Sequence, residues 1–85
     1  MKTIICSVYD KATAAYMRPF MMHSVGQAMR EFKDQVEQDG TPLNQHPEDY
    51  ALFQLGNFTD HDGKLEPCEP ICLARAHELL ALKDD

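Results

Sequence analysis

The sequence predicts an α+β fold: a small antiparallel sheet, in the element order β-β-α-β-β-α, packed on one main helix. Three observations lead there. Residues 2–9, KTIICSVY, are rich in β-branched and aromatic side chains, and residues 51–58, ALFQLGNF, take up a strand pattern. Between them Val25, Ala28, Met29, Phe32 and Val36 recur at spacings of three and four, which lines one face of a helix with apolar groups. The chain has 85 residues, enough for one domain that buries roughly 60% of its unfolded surface.

In the first strand Ile4, Cys6 and Val8 alternate with Thr3, Ile5, Ser7 and Tyr9, so both faces are apolar enough to be covered. Asp10 to Thr13 is polar and turns the chain. AYMRPFMM, residues 15–22, then returns as an extended segment with Tyr16, Arg18, Phe20 and Met22 on one side. Pro19 has no amide proton to give to a ladder, which makes this segment an edge strand or an irregular stretch. Ser24 opens the helix, its hydroxyl accepting from the amide three residues on while Gln27 reaches back. Gly40 and Pro42 end that helix in a loop.

Pro47, Glu48, Asp49 and Tyr50 suit a single helical turn, because proline is accepted at a first helical position and acids favour the positive end. In the strand from Ala51 to Phe58, Phe53 and Leu55 are expected on one face, with Leu52, Gln54, Gly56 and Phe58 on the other. Gly56 marks a bulge or a close approach of neighbouring backbone. Thr59 to Gly63 turns into a short return strand, Lys64 to Glu66. Pro67 and Pro70 then break the chain before a helix from about Leu73 to Leu82, carrying Leu73, Ala76, Leu79, Leu80 and Leu82. Residues 1–85 form one domain in this reading, with 72–85 as its C-terminal helix or tail.

The net charge of -6 is unevenly spread. Residues 1–33 hold five basic against two acidic side chains, a net of +3, and the remainder holds three against twelve, a net of -9. Phosphate attraction scales with the Lys and Arg presented, so a nucleic-acid surface belongs in the first half; an ordinary solvated surface is the plainer reading of the same split. No run approaches the ~20 apolar residues that span a bilayer. Met1 to Ile5 lacks the features of a secretory leader, and three cysteines, Cys6, Cys68 and Cys72, read as reduced thiols. A cytoplasmic protein without disulfides is expected.

Several candidate sites fail on chemistry. A calcium loop needs oxygen ligands at its first, third and fifth positions, glycine at the sixth and glutamate at the twelfth; placing Asp60, Asp62, Gly63 and Glu69 accordingly puts Phe58 first. Asp62-Gly63 reads instead as a hairpin turn. Zinc from Cys68, Cys72 and His77, with His46 or His61 as fourth ligand, lacks the two tight pairs of structural sites. Cys6 has no adjacent base to lower its thiol pKa. Glu48, Asp49, Asp60 and Asp62 show no cleft that would separate their acidities, and no phosphate-binding glycine pattern occurs. The expectation is a protein without enzymatic activity, metal or cofactor.

The remaining candidate is a single-stranded nucleic acid on the first hairpin, where aromatic faces stack bases and cations track the backbone. Tyr9, Lys11, Tyr16, Arg18 and Phe20 interleave these two types, and Lys2 joins them. Tyr16 and Phe20 equally suit the core of a small sheet.

VYDKATAAYMRPF, a capped helix, and HPEDYALFQLGNFTDHDGKLEP together resemble the small nonstructural protein of gokushovirus-type microviruses, phages with circular single-stranded DNA genomes. The resemblance rests on Tyr9-Asp10, Pro19-Phe20, His46, Pro47, Asp49, Tyr50, Leu55-Gly56, Phe58 and the turn at Asp60 to Gly63, and it covers most of the chain. It implies a nonstructural protein of the host bacterial cytoplasm assigned to phage DNA replication, through single-stranded DNA binding or the switch to genome synthesis and packaging. It supplies no catalytic residues. The acidity departs from a typical nucleic-acid binder, so the alternative is an interaction adaptor for a viral or host replication protein. Homodimerisation suits either reading, because a small sheet leaves edges to be paired.

Overall fold

A computed structural model describes residues 2–83, with side chains through Ala81. Strand β1 (Lys2–Asp10) is central, and β4 (Tyr50–Thr59) pairs with it antiparallel from Lys2↔Thr59 to Asp10↔Tyr50. Strand β5 (Lys64–Arg75) lies outside β4, while two short strands, β2 (Ala15–Tyr16) and β3 (Phe20–Met22), share the other edge of β1. Helix α1 (Val25–Glu37) follows β3; α2 (Pro42–Gln45) and a 3₁₀ turn (Pro47–Asp49) lead into β4; α3 (Ala76–Lys83) follows β5. The α+β class and the antiparallel sheet packed on helices are as the sequence predicts.

Partners across an antiparallel ladder share a face, and successive residues alternate. Cys6 and Val8 of β1, and Leu52 of β4, therefore face the helices with Phe20 and Met22 from β3. There they meet Ala28, Phe32 and Val36 of α1, Leu43 of α2 and Ala76 of α3. Val36 and Leu52 are fully buried, worth about 1.5–3 kcal/mol each relative to exposure. The odd-numbered residues Thr3, Ile5, Ser7 and Tyr9 lie on the opposite face, and that core takes none of them.

Helix α1 begins at the expected cap: the Ser24 hydroxyl accepts from the Gln27 amide at 3.1 Å. Gln27 Oε1 accepts from the His23 amide, one residue before the cap. At the other end the Thr41 hydroxyl donates to the Gln35 carbonyl at 2.7 Å, and Asn44 Nδ2 to the Val36 carbonyl at 2.8 Å. These bonds satisfy terminal carbonyls that a helix leaves open, and they seat α2. The sequence reading has only a loop here, because four residues are too few to show a helical period.

Two expectations are corrected by register. Tyr16 pairs with Tyr9, whereas Phe20 pairs with Cys6 and Met22 with Ile4. Between these pairs two residues of β1, Ser7 and Val8, oppose three on the edge, Met17, Arg18 and Pro19, and the extra one turns Tyr16 to the face opposite Phe20 and Met22. The Met17 amide donates to the Val8 carbonyl, and the buried Ser7 hydroxyl donates to the Met17 carbonyl. Together they hold the edge where Pro19 interrupts it.

In β4 the register shifts opposite Ile5/Cys6, so Gln54 pairs with Cys6 but Gly56 with Ile5. Leu55 is the extra residue, and beyond it Phe58, paired with Thr3, joins the face of Phe53 rather than that of Leu52. The bulge expected at Gly56 is present together with the close approach: a Cβ there would stand 2.5 Å from the Glu66 carbonyl oxygen.

Strand β5 runs to Arg75, through Pro67 and Pro70, and α3 begins only at Ala76. An outermost strand tolerates prolines because its outward amides need no partner. Leu73 therefore lies in β5 and packs on the core from there, beside Ala76, Leu79 and Leu80 of α3; the side chain expected at Leu82 lies outside the described residues. The Asp60 to Gly63 turn is as expected. Gly63 has φ 71°, its amide donates to the Thr59 carbonyl at 2.9 Å, and Asp62 Oδ1 accepts from the Lys64 amide.

Gly56→Ala is expected to lower stability by about 1–3 kcal/mol in chemical denaturation, since backbone must move to admit the methyl group; an unchanged midpoint would contradict the close packing of β4 on β5. Cys68 and Cys72 are exposed and Cys6 is buried, with burial pushing its thiol pKa up. A thiol reagent should label the first two in the native protein and Cys6 only on unfolding.

Candidate nucleic-acid interface

The face of the sheet turned away from α1 carries aromatic side chains in cross-strand rows. Tyr16, Tyr9, Ala51 and Arg75 follow one another across β2, β1, β4 and β5; the next row holds Ser7, Phe53 and Cys72. Tyr9, Tyr16 and Phe53 meet edge to face, with ring centroids 4.9 Å apart for Tyr9–Tyr16, 6.2 Å for Tyr9–Phe53 and 5.7 Å for Tyr16–Phe53. Such pairs contribute about 0.5–1.5 kcal/mol each beyond area burial, so the three rings support one another. Tyr16 keeps 42% of its surface exposed. Farther along the same face stand Ile5, Met21, Phe58 and Leu65.

At the Tyr9 end of this face, a cleft of about 330 Å³ lies between the aromatic rings and the 3₁₀ turn. Tyr9 and Phe53 line it with the cations Lys11 and Arg75, His77, and the carboxylates of Glu48 and Asp49. The Lys11 amide donates to the Asp49 carbonyl at 2.8 Å, which ties the β1–β2 turn to the start of β4. Arg75 pairs loosely with Glu78 at 4.0 Å, both side chains well exposed, a contact that contributes little. Tyr50, also on the cleft, has its phenol pKa raised, first by burial and then by the carboxylates of Asp10 and Asp49.

The structure divides the residues the sequence groups together. Tyr9 and Tyr16 share the open face, and Lys11 stands at the cleft beside them. Phe20 packs on the helix side of the sheet. Arg18 lines a separate groove of about 380 Å³ between β3 and α1, with Met17, Met22, Glu31 and Phe32. Lys2 lies at the far end of β1, 3.9 Å from Glu66. Phe53, Arg75 and His77 were missed. Phe53 reads as an ordinary strand residue until register places it beside Tyr9, Arg75 sits in a segment expected to be helix, and His77, in α3 as expected, reaches the cleft only through the tertiary fold.

The residues weighed as metal ligands do not converge. Cys68 and Cys72 are exposed on β5. Among the described residues, the donor atoms that gather within 4.8 Å belong to His46, Glu48 and Asp49, on an exposed turn of a kind that charged groups commonly form without an ion. No described helix is long and apolar enough to cross a membrane.

Raising the pH should expose the Tyr50 shift. Its folded pKa lies above the ordinary tyrosine value near 10, so above that value the unfolded chain loses its phenol proton first and stability declines with rising pH. Tyr50→Phe should make the alkaline decline shallower in denaturation curves, and an unchanged slope would contradict the raised phenol pKa that burial, Asp10 and Asp49 produce.

Residues 3–79 match the protein family described as phage ORF5 protein. No curated protein and no solved structure gives a significant match.

Proposed function

The chain belongs to the phage ORF5 protein family, and from that premise we propose that it is a non-enzymatic accessory protein that binds single-stranded DNA during genome replication of a microvirus-type phage. One observation carries this reading: the edge-to-face cluster of Tyr9, Tyr16 and Phe53 on the helix-free face of the sheet, flanked by Lys11 and Arg75. Bases present flat apolar faces to such rings, and the two cations take neighbouring phosphates. The overall acidity limits non-specific attraction, so binding depends on stacking more than on charge.

A second reading has its own observation. Strand β5 is exposed over most of its length, with Leu65 at 61% and Ile71 at 49% exposure, a surface suited to a viral or host replication protein or to a second copy of the chain. That adaptor would need neither Tyr16 nor Lys11.

Titration of a labelled single-stranded oligonucleotide at low and physiological salt separates the two. Binding should be detectable at low salt and weaken as salt rises. Tyr16→Ala should weaken it about tenfold, within the ~1–3 kcal/mol per stacked base. Lys11→Gln with Arg75→Gln should lower the salt slope by roughly 0.7 per lost phosphate contact, and Arg18→Gln, on the opposite groove, should leave affinity nearly unchanged. Absence of binding at low salt would reject DNA in favour of the adaptor.

A further inference from the structure

The cleft beside the aromatic cluster holds two carboxylates that a general phosphate-binding surface would be better without. Glu48 and Asp49 line it together with Lys11 and Arg75, and neither side chain makes a hydrogen bond or ion pair among the described residues. Anions placed there repel the DNA backbone. They become favourable only against hydrogen-bond donors, and the donors of a nucleotide are the N–H groups of its base.

The floor of the cleft fits this use. Ala51 stands between Tyr9 and Arg75 in the cross-strand row, and its methyl group leaves a gap where a larger side chain would fill the space. A base over Ala51 would lie against the rings of Tyr9 and Phe53, with its edge toward the 3₁₀ turn that carries the carboxylates. The volume of about 330 Å³ is at the small end of small-molecule sites.

We propose that this cleft reads one base of the bound strand, accepting its amino-bearing edge on the carboxylates of Glu48 and Asp49 while Lys11 and Arg75 hold the flanking phosphates. The proposal rests on the single-stranded DNA reading above and adds a base preference to it. Guanine presents two adjacent donors, N1–H and N2–H, to which a carboxylate bonds through both oxygens. Adenine and cytosine each offer an amino group beside a ring acceptor. Thymine offers a single N–H between two carbonyl oxygens, which face the carboxylates unfavourably. The order expected is guanine first and thymine last, with discrimination of roughly tenfold for a good bidentate contact.

The test uses the full chain and dT tracts of about 12 nucleotides, within the usual site size of ~4–16. One tract is all dT and the others carry a single central dG, dC or dA. Affinities are measured by fluorescence anisotropy in a chelating buffer and again with added magnesium. The dG tract should bind roughly tenfold more tightly than all-dT in both buffers. Glu48→Gln with Asp49→Asn should reduce that preference severalfold and tighten all-dT binding, because the repulsion on the backbone is gone; a merely destabilised variant would weaken both.

Equal affinity for all four tracts would overturn the base preference and leave the DNA reading standing. A preference retained in the double variant would overturn the assignment to Glu48 and Asp49. A preference that needs magnesium would overturn direct reading in favour of a bridging ion. No binding to any tract would remove the DNA reading and this proposal together.

Discussion

The antiparallel pairing of β1 with β4 is the constraint on which the rest of the molecule depends. These strands pair over their whole length, and the alternation they impose decides the destination of each side chain. Cys6, Val8 and Leu52 go toward the helices; Tyr9, Phe53 and Phe58 go the other way. The described helices contribute to one core on one side, so the aromatic residues of the second face are held in place by strand pairing and by one another. Domains of this size bury a limited share of their surface, and here Tyr9 and Phe53 stay half-buried and Tyr16 exposed.

Two local irregularities tune that face. The Leu55 bulge brings Phe58 onto the side of Phe53, and the extra edge residue around Pro19 separates Tyr16 from Phe20. Without the first, Phe58 would face the helices; without the second, Tyr16 would leave Tyr9 and Phe53. The Ser7 hydroxyl on the Met17 carbonyl keeps the second irregularity closed, since a buried hydroxyl without a partner is costly. The functional reading thus depends on departures from regular strand geometry that short-range pattern alone does not reveal.

How far the molecule was legible in its sequence follows the range of the signals involved. The capped helix at Ser24, the single turn at Pro47, the bulge glycine and the Asp62-Gly63 turn are each set by contacts within a few residues, and each was readable. The β5 strand was not, because its prolines are read as breakers unless the strand is known to lie at an edge. The candidate site was half legible. Tyr9, Lys11 and Tyr16 were visible as an interleaved cluster, but Phe20 and Arg18 belong to the other side and Phe53 and Arg75 come from distant sequence. Membership of the cluster is decided by inter-strand register, and periodicity along one strand carries no information about that.

The open aromatic face as the DNA-contacting surface is tested most directly by mapping amide chemical shifts while a single-stranded oligonucleotide is titrated. Changes should centre on Tyr9, Tyr16, Ala51, Phe53 and Arg75, leaving Ala28, Phe32 and Val36 of α1 unmoved. Shifts centred on Arg18, Glu31 and Phe32, or confined to the outer residues of β5, would contradict that surface.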